Sequence, residues 1–399
     1  MHFRKWYSHK NDIRVFLLAA NALVVLANGF DILTAKYSNR RCTLVVVDYK
    51  QLETLVTRMI QMAGSGIEEA ETVAFNLVEA NLMGHDSHGV GLAPRYMQHA
   101  LTGTMTPGAD ISMITDNGVY LLLDGNMGYG QTIGREAMKI GIDKVKRNGA
   151  AIVGLRNVHH LGRIGAWGEL CAKAGFISIH YVNATGHKPY VAPYGGYEAR
   201  YSTNPYCTAI PATEKTPMMV LDMATSRVAQ GKVRVAHYSE KQLPMPDALV
   251  GPNGKLTSDP GVVFRDPMGA LLSFGEHKGY GLALLCDLLA GGLPGGGTAR
   301  PELNTGETIR NNMLTIIIDP EQFESGVSFA AEFDSLIDYV KSGQPAEGHD
   351  KIRVAGEPEQ ESMLKRKLAG IPIDPNTWAE MAKTGCENGM KKSDFDDIV

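Results

Sequence analysis

The heptapeptide Gly128-Tyr129-Gly130-Gln131-Thr132-Ile133-Gly134 sits between an apolar run at 119–123 and a helical pattern at 131–147, with a second apolar run at 151–155. Strand, helix and strand in that order make a βαβ-like unit. A dinucleotide-binding turn has this setting, because glycines let the backbone approach a pyrophosphate resting on the helix N-terminus. On that reading Arg156, after the second strand, would favour NADP. Two features oppose it. The spacing is GxGxxxG, and no acidic residue stands near the end of the second strand to take a ribose hydroxyl. In 399 residues with 44 glycines such a pattern carries little weight. A structural turn is the better reading.

Upstream, Leu52, Leu55, Val56, Met59 and Ile60 recur at helical spacing behind Asp48, a suitable N-cap. Ser65 and Glu68 have the spacing of a capping box for a second helix, which carries Val73, Leu77 and Ala80 and stops at Gly84. Gly84-His85-Asp86-Ser87-His88-Gly89 therefore falls on a loop at a helix exit, where rigid elements present reactive side chains. Downstream, short apolar runs at 177–182, 218–221 and 313–318 suggest a second sheet. Helical patterns return at 279–289, 329–341, 358–368 and 376–382, and the Gly- and Pro-rich stretch 291–301 is the longest candidate for a mobile loop.

The chain is 44% hydrophobic and 21% charged, as expected of an ordinary globular protein of more than one subdomain. A formal net charge of -4, with Lys and Arg dispersed, offers no general attraction to nucleic acid or anionic lipid. The five cysteines lie far apart with no CxxC pair, which suits reduced thiols in a cytoplasmic protein. Residues 1–43 are set apart. Arg4, Lys5, Lys10 and Arg14 precede an apolar run at 15–27, the order of a targeting segment. That run contains Asn21 and is shorter than the roughly 20 apolar residues of a spanning helix. With no methionine between Met1 and Met59 and patterned sequence beginning near Leu44, an extension from a mis-called start is the preferred reading.

His85, His88, His159 and His160 are four of twelve histidines, gathered in two short Gly-flanked segments. Imidazoles pair readily around zinc, but there is no HExxH and only Asp86 is a nearby carboxylate. Acid/base chemistry is the alternative, since histidine exchanges a proton near neutrality.

Several segments carry a resemblance: Asp86-Ser87-His88-Gly89-Val90, Asn157-Val158-His159-His160-Leu161-Gly162, Ser202-Thr203-Asn204-Pro205, Leu221-Asp222-Met223-Ala224-Thr225-Ser226, Gly231-Lys232, and His277-Lys278-Gly279-Tyr280-Gly281-Leu282. In this order they resemble the malate/L-lactate dehydrogenase-like oxidoreductases, above all the bacterial hydroxycarboxylate dehydrogenase branch. The resemblance implies an α+β (mixed α/β) homodimer with a non-Rossmann nicotinamide-binding domain on a mainly antiparallel sheet, plus a helical and mixed second domain. The expected division is an extension at 1–43, an N-terminal helical part of the substrate and dimerisation domain at 44–120, a nicotinamide-binding catalytic core at 121–320, and C-terminal helices at 321–399 packing on the N-terminal part. It further implies His88 as proton donor beside the nicotinamide and His160 as the second histidine at the carbonyl. Ser87 would orient His88 next to the substrate. The implied contacts for NAD, with NADP as the other option, are His88, Gly162, Arg163, Ile164, Val220, Leu221, Asp222, Met223, Ala224, Lys232, His277, Asn311, Gly356, Glu357, Pro358 and Glu359.

One position departs. Most of the family has Arg four residues after the histidine of Ser-His-Gly, gripping the substrate carboxylate, where this chain has Leu92. Arg163, on the His160 loop, is expected to replace that charge or else to contact a cofactor phosphate. The expected activity is NAD(P)-dependent interconversion of 2-oxo and 2-hydroxy acids without a metal, nucleic acid or membrane. A His-rich metal-dependent hydrolase is the alternative, and a non-enzymatic binding module a third.

Overall fold

The computed structural model describes residues 44–238, 240–323 and 326–399. The expectations for residues 1–43 lie outside these. In chain order come β1 (Val45–Val47), α1 (Tyr49–Met62), α2 (Ile67–Leu82), α3 (Ala93–Leu101), β2 (Ser112–Asn117), β3 (Tyr120–Asp124), α4 (Gly130–Asn148) and β4 (Ala150–Val158). There follow α5 (Gly165–Lys173), β5 (Ile177–Thr185), β6 (Tyr206–Ile210), β7 (Met219–Met223) and α6 (Gln230–Tyr238). Then come β8 (Leu249–Val250), β9 (Leu256–Thr257), β10 (Ala270–Leu271), α7 (His277–Cys286) and β11 (Arg310–Ile318). The chain ends with α8 (Phe329–Lys341), α9 (Glu357–Ala369), β12 (Ile371–Ile373) and α10 (Pro375–Glu387) before a last short turn of helix.

Local chemistry accounts for most helix starts. The Asp48 carboxylate accepts from the Lys50 and Gln51 amides at 2.9 and 3.3 Å, so it caps α1 as the sequence predicts. The capping box at Ser65 does not form. Gly66 is the N-cap of α2, Ser65 is buried beside Tyr129, and Glu68 and Glu69 in the first turn complement the helix dipole. One core joins the two ends of the chain: Leu52, Met59, Leu77 and Tyr96 pack with Ile371, Met381 and Phe395. Antiparallel pairing of β1 with β12 closes it.

The second core surrounds a seven-stranded sheet of order β2-β3-β4-β11-β5-β6-β7. Only β3 and β4 run parallel, joined by α4 as the βαβ pattern predicts, and every other neighbouring pair is antiparallel. The three later apolar runs therefore do not make a second sheet. β11 inserts between β4 and β5, pairing Ile318 with both Ala150 and Ile177, a partnership across more than a third of the chain that no local pattern discloses. A separate three-stranded sheet holds only β10, β8 and β9. Among the described residues no helix is long and apolar enough to cross a membrane.

The glycine heptapeptide has a packing role. A Cβ on Gly130 would stand 2.1 Å from the carbonyl oxygen of His160, so α4 can start where it does only without a side chain there. The stretch 291–301 is likewise engaged. A Cβ on Gly296 would stand 1.9 Å from Asn312 Oδ1, Asn183 donates to the Gly297 carbonyl, and the Ala299 amide donates to Asp287.

Gly130→Ala should destabilise the protein by about 1–3 kcal/mol, the usual cost of overpacking. Urea unfolding checks this, and a change within about 0.5 kcal/mol, the range of a neutral surface substitution, would contradict it.

Candidate active site

Residues 84–92 leave α2 through Gly84, at φ +86, and form two short 3-10 turns, Asp86–His88 and Val90–Leu92. Asn81 staples both. Its Nδ2 donates to Asp86 at 2.6 Å and its Oδ1 accepts from the Val90 amide at 2.8 Å. From α9, Arg366 forks Asp86 at 2.6 and 3.0 Å, and Glu359 lies 3.3 Å from His85 Nε2. Ser87 Oγ is 3.2 Å from His88 Nδ1. The second histidine segment follows β4. The His159 amide donates to the Gly128 carbonyl, and the Leu161 amide donates to Asn311 Oδ1 at 2.8 Å. Asn311 Nδ2 in turn donates to the Asn183 carbonyl at 2.9 Å. The carboxamide of Asn311 is thus engaged in holding the His160 loop, where cofactor contact was expected.

These loops lay the His88 and His160 rings face to face, 5.6 Å between centroids and 11° from parallel. Tyr96 Oη stands 2.6 Å from His160 Nδ1 and accepts from Gln131 Nε2 at 3.1 Å. With the Gln131 amide donating, the phenolic hydrogen is available to His160 Nδ1, an arrangement in which a neutral His160 carries its proton on Nε2. Burial raises the Tyr96 phenol above its ordinary range, which keeps that hydrogen in place. Burial, then the nearby charges of His85 and Arg163, pulls His88 down to about 4, and burial holds His160 well below its usual value. Both rings are neutral at pH 7.

The four histidines do not converge. His85 turns to Glu359, and the buried His159 bonds His99 at 2.8 Å and props the edge of the Tyr96 ring. Among the described residues no group of three or more His, Cys, Asp or Glu is placed to hold a metal ion.

Three segments expected at a cofactor do come together. Asp222, at the end of β7, accepts from the Gly165 amide at 2.7 Å, which sets the 162–164 loop against the strand. The Val220 amide donates to Ala355, and Gly356, at φ +95, rests so close that a Cβ would stand 3.2 Å from the Val220 nitrogen. A Cβ on Gly231 would be 2.4 Å from Ser87 Cβ, so the start of α6, with Lys232, abuts the His88 loop. The His277 ring meets Tyr194 edge-on, 5.9 Å between centroids.

Arg163 overturns its expectation as a substrate cation. Its side chain is 4% exposed, forks Glu169 at 2.7 and 3.1 Å and meets Glu79 at 3.3 Å. Leu92 is 6% exposed, packed in the N-terminal core. A cavity of about 890 Å³ opens nearby, lined among others by Arg95, His99, His187, Tyr190, Arg234 and Phe264. Arg95 and His187 both act electrostatically on the His160 ring, which ties the cavity to the histidine pair. Sequence reasoning missed Tyr96, Gln131 and Arg95. Only helical phase could have found Tyr96, one turn after Leu92 on the same face.

The sequence profile of the malate/L-lactate dehydrogenase family matches residues 47–382. Hydroxycarboxylate dehydrogenase B of Escherichia coli strain K12 is 39% identical over 345 residues, 86% of this chain and 94% of that protein. The L-lactate dehydrogenase of Cupriavidus necator is 37% identical over 79% of this chain and 89% of its own length. Among solved structures, malate dehydrogenase of Pyrococcus horikoshii superposes with a TM-score of 0.76 at 31% identity, covering 89% of this chain and 98% of its own.

Arg163→Met strands Glu169 and Glu79 as buried carboxylates, so it should cost roughly 3–5 kcal/mol in urea unfolding. The double variant Arg163→Met/Glu169→Gln should recover part of that loss. A single variant as stable as the parent would return Arg163 to the role of a free substrate cation.

Proposed function

The chain belongs to the malate/L-lactate dehydrogenase family, and on that premise we propose that it interconverts 2-oxo and 2-hydroxy acids with NAD or NADP, His88 moving the proton. The observation that carries this reading is the parallel His88–His160 pair, with Tyr96 Oη bonded to His160 Nδ1.

A 2-oxo acid bound beside the pair would direct its carbonyl oxygen at Nε2–H of His160, which donates to the negative charge that builds there during reduction. The bound nicotinamide supplies or takes the hydride. His88 delivers the proton in reduction and accepts it in oxidation. Its neutral resting state suits the accepting role: with a pKa of about 4, on the order of one ring in 10³ is charged at pH 7. A substrate carboxylate nearby would raise that fraction, since an opposite charge favours the protonated form. Substrate binding thereby arms the donor.

The residues that would hold the cofactor are 162–164, 220–224, Lys232 and 356–359. Their fit rests on the convergence of β7, the 162–164 loop and the start of α9 around glycine backbone that lets a flat group approach. The mainly antiparallel sheet, which begins at Ser112 and not at 121, would then belong to a non-Rossmann nicotinamide domain. Residues 44–111 with the C-terminal elements from α9 onward would form the substrate and dimerisation domain of a homodimer, while α8 bonds Thr213 and Thr216 beside the sheet through Asp334. Buried Cys171, Cys207 and Cys286, all free thiols, suit a cytoplasmic setting.

A panel of 2-oxo acids assayed by NADH and NADPH absorbance tests the activity; oxidation of either cofactor with at least one acid is expected, and none with any acid would refute it. His88→Ala should lower kcat at least about 10²-fold, the contribution typical of a general acid. NADH affinity, followed by fluorescence, should change less than kcat, because the variant removes the proton source and only one of the proposed dinucleotide contacts. Near-normal turnover would remove His88 from the reaction.

A further inference from the structure

A 2-oxo acid brings a carboxylate next to the carbonyl that reacts, and an anion entering a partly enclosed site needs a cation or several donors. Arg163 is already engaged by Glu169 and Glu79, and Leu92 offers no charge. The cavity that Arg95, His99 and His187 line carries three cations, Arg95, Lys188 and Arg234, and three carboxylates, Glu307, Asp374 and Glu380. Such a balance attracts no anion by net charge, so selectivity has to come from where one cation sits.

Arg95 has that position. It directly precedes Tyr96 on α3, and the Tyr96 hydroxyl bonds His160. Its charge registers at His160, as it does at His99, His159 and His187, whereas Lys188 meets these rings only through its backbone carbonyl at His187 Nδ1. Among the described residues its guanidinium makes no hydrogen bond or ion pair, so it is open to a ligand. Asp374, by contrast, is engaged in capping α10 through Asn376 and Thr377.

We infer that Arg95 holds the carboxylate of the 2-oxo acid, taking the role expected of Arg163 and directing the neighbouring carbonyl toward Nε2 of His160. The assignment rests on the 2-oxo acid reading above. A planar guanidinium meets a carboxylate through two parallel hydrogen bonds, which fixes the plane of the acid as well as its place. Arginine suits this task better than lysine, whose ammonium supplies charge without that plane.

The test compares the full chain with Arg95→Met and Arg95→Lys, using the best 2-oxo acid of the panel and its uncharged methyl ester. Arg95→Met should raise KM for the acid by roughly 10- to 100-fold, the range for a lost charge-assisted hydrogen bond. Turnover of the ester should stay near the parent value, so the preference for acid over ester collapses, and Arg95→Lys should restore part of it. NADH affinity should change less than KM for the acid, and melting temperature should not move, because the side chain is exposed and makes no bond that the fold depends on. Equal losses for acid and ester, or an unchanged preference, would overturn the assignment while leaving the dehydrogenase reading intact. A parent enzyme that reduces no 2-oxo acid would overturn both.

Discussion

β11 has to thread between β4 and β5, and much of the molecule follows from how its asparagines meet that constraint. At the end of the strand Asn311 Oδ1 receives the Leu161 amide, and next to it Asn312 Oδ1 receives the Asn157 amide at 2.9 Å. Asn312 Nδ2 donates to Asn183 Oδ1, and Asn183 Nδ2 reaches Asp287 and the Gly297 carbonyl. Buried amides are costly unless bonded, so this network specifies one register for three strands and for the turn beyond them. Further along, Thr315 does the same for His180, which is fully buried and bonded through both ring nitrogens, to Thr315 and Ser178.

The His160 loop is therefore anchored from the sheet, while the His88 loop is anchored from the helices by Asn81, Arg366 and Glu359. Two cores made from distant parts of the chain each contribute one ring, and the pair exists only when both are in register. Residues near the end of the chain thus hold a loop that begins at Gly84. This division also explains why burial governs the chemistry. Among the described residues neither ring has a carboxylate partner to hold it cationic, so desolvation decides and both stay neutral.

Features encoded by adjacent residues were legible in the sequence. Asp48 caps α1, the βαβ pattern gives parallel β3 and β4, and the apolar spacing at 329–341 returns as Phe329–Lys341. Both histidine segments fall on loops, and their ordered motifs identify the family. What failed depends on distant partners. The run at 313–318 reads the same whether it forms a new sheet or the centre of the first. Ser65 has capping spacing, but burial beside Tyr129 removes it from the helix end. Arg163 is a partial exception, because its bidentate partner Glu169 is only six residues away and Glu79 on α2 is the distant one. Tyr96, whose hydroxyl bonds His160 Nδ1, has no motif around it.

Nitrogen NMR of histidine-labelled protein reads where the His160 proton sits. Between about pH 8 and about pH 5.5, a range that spans the ordinary histidine pKa, the His160 ring is expected with Nε2 protonated, Nδ1 acting as acceptor, and no titration. A ring protonated on Nδ1, or one that becomes imidazolium near its ordinary pKa, would contradict that assignment.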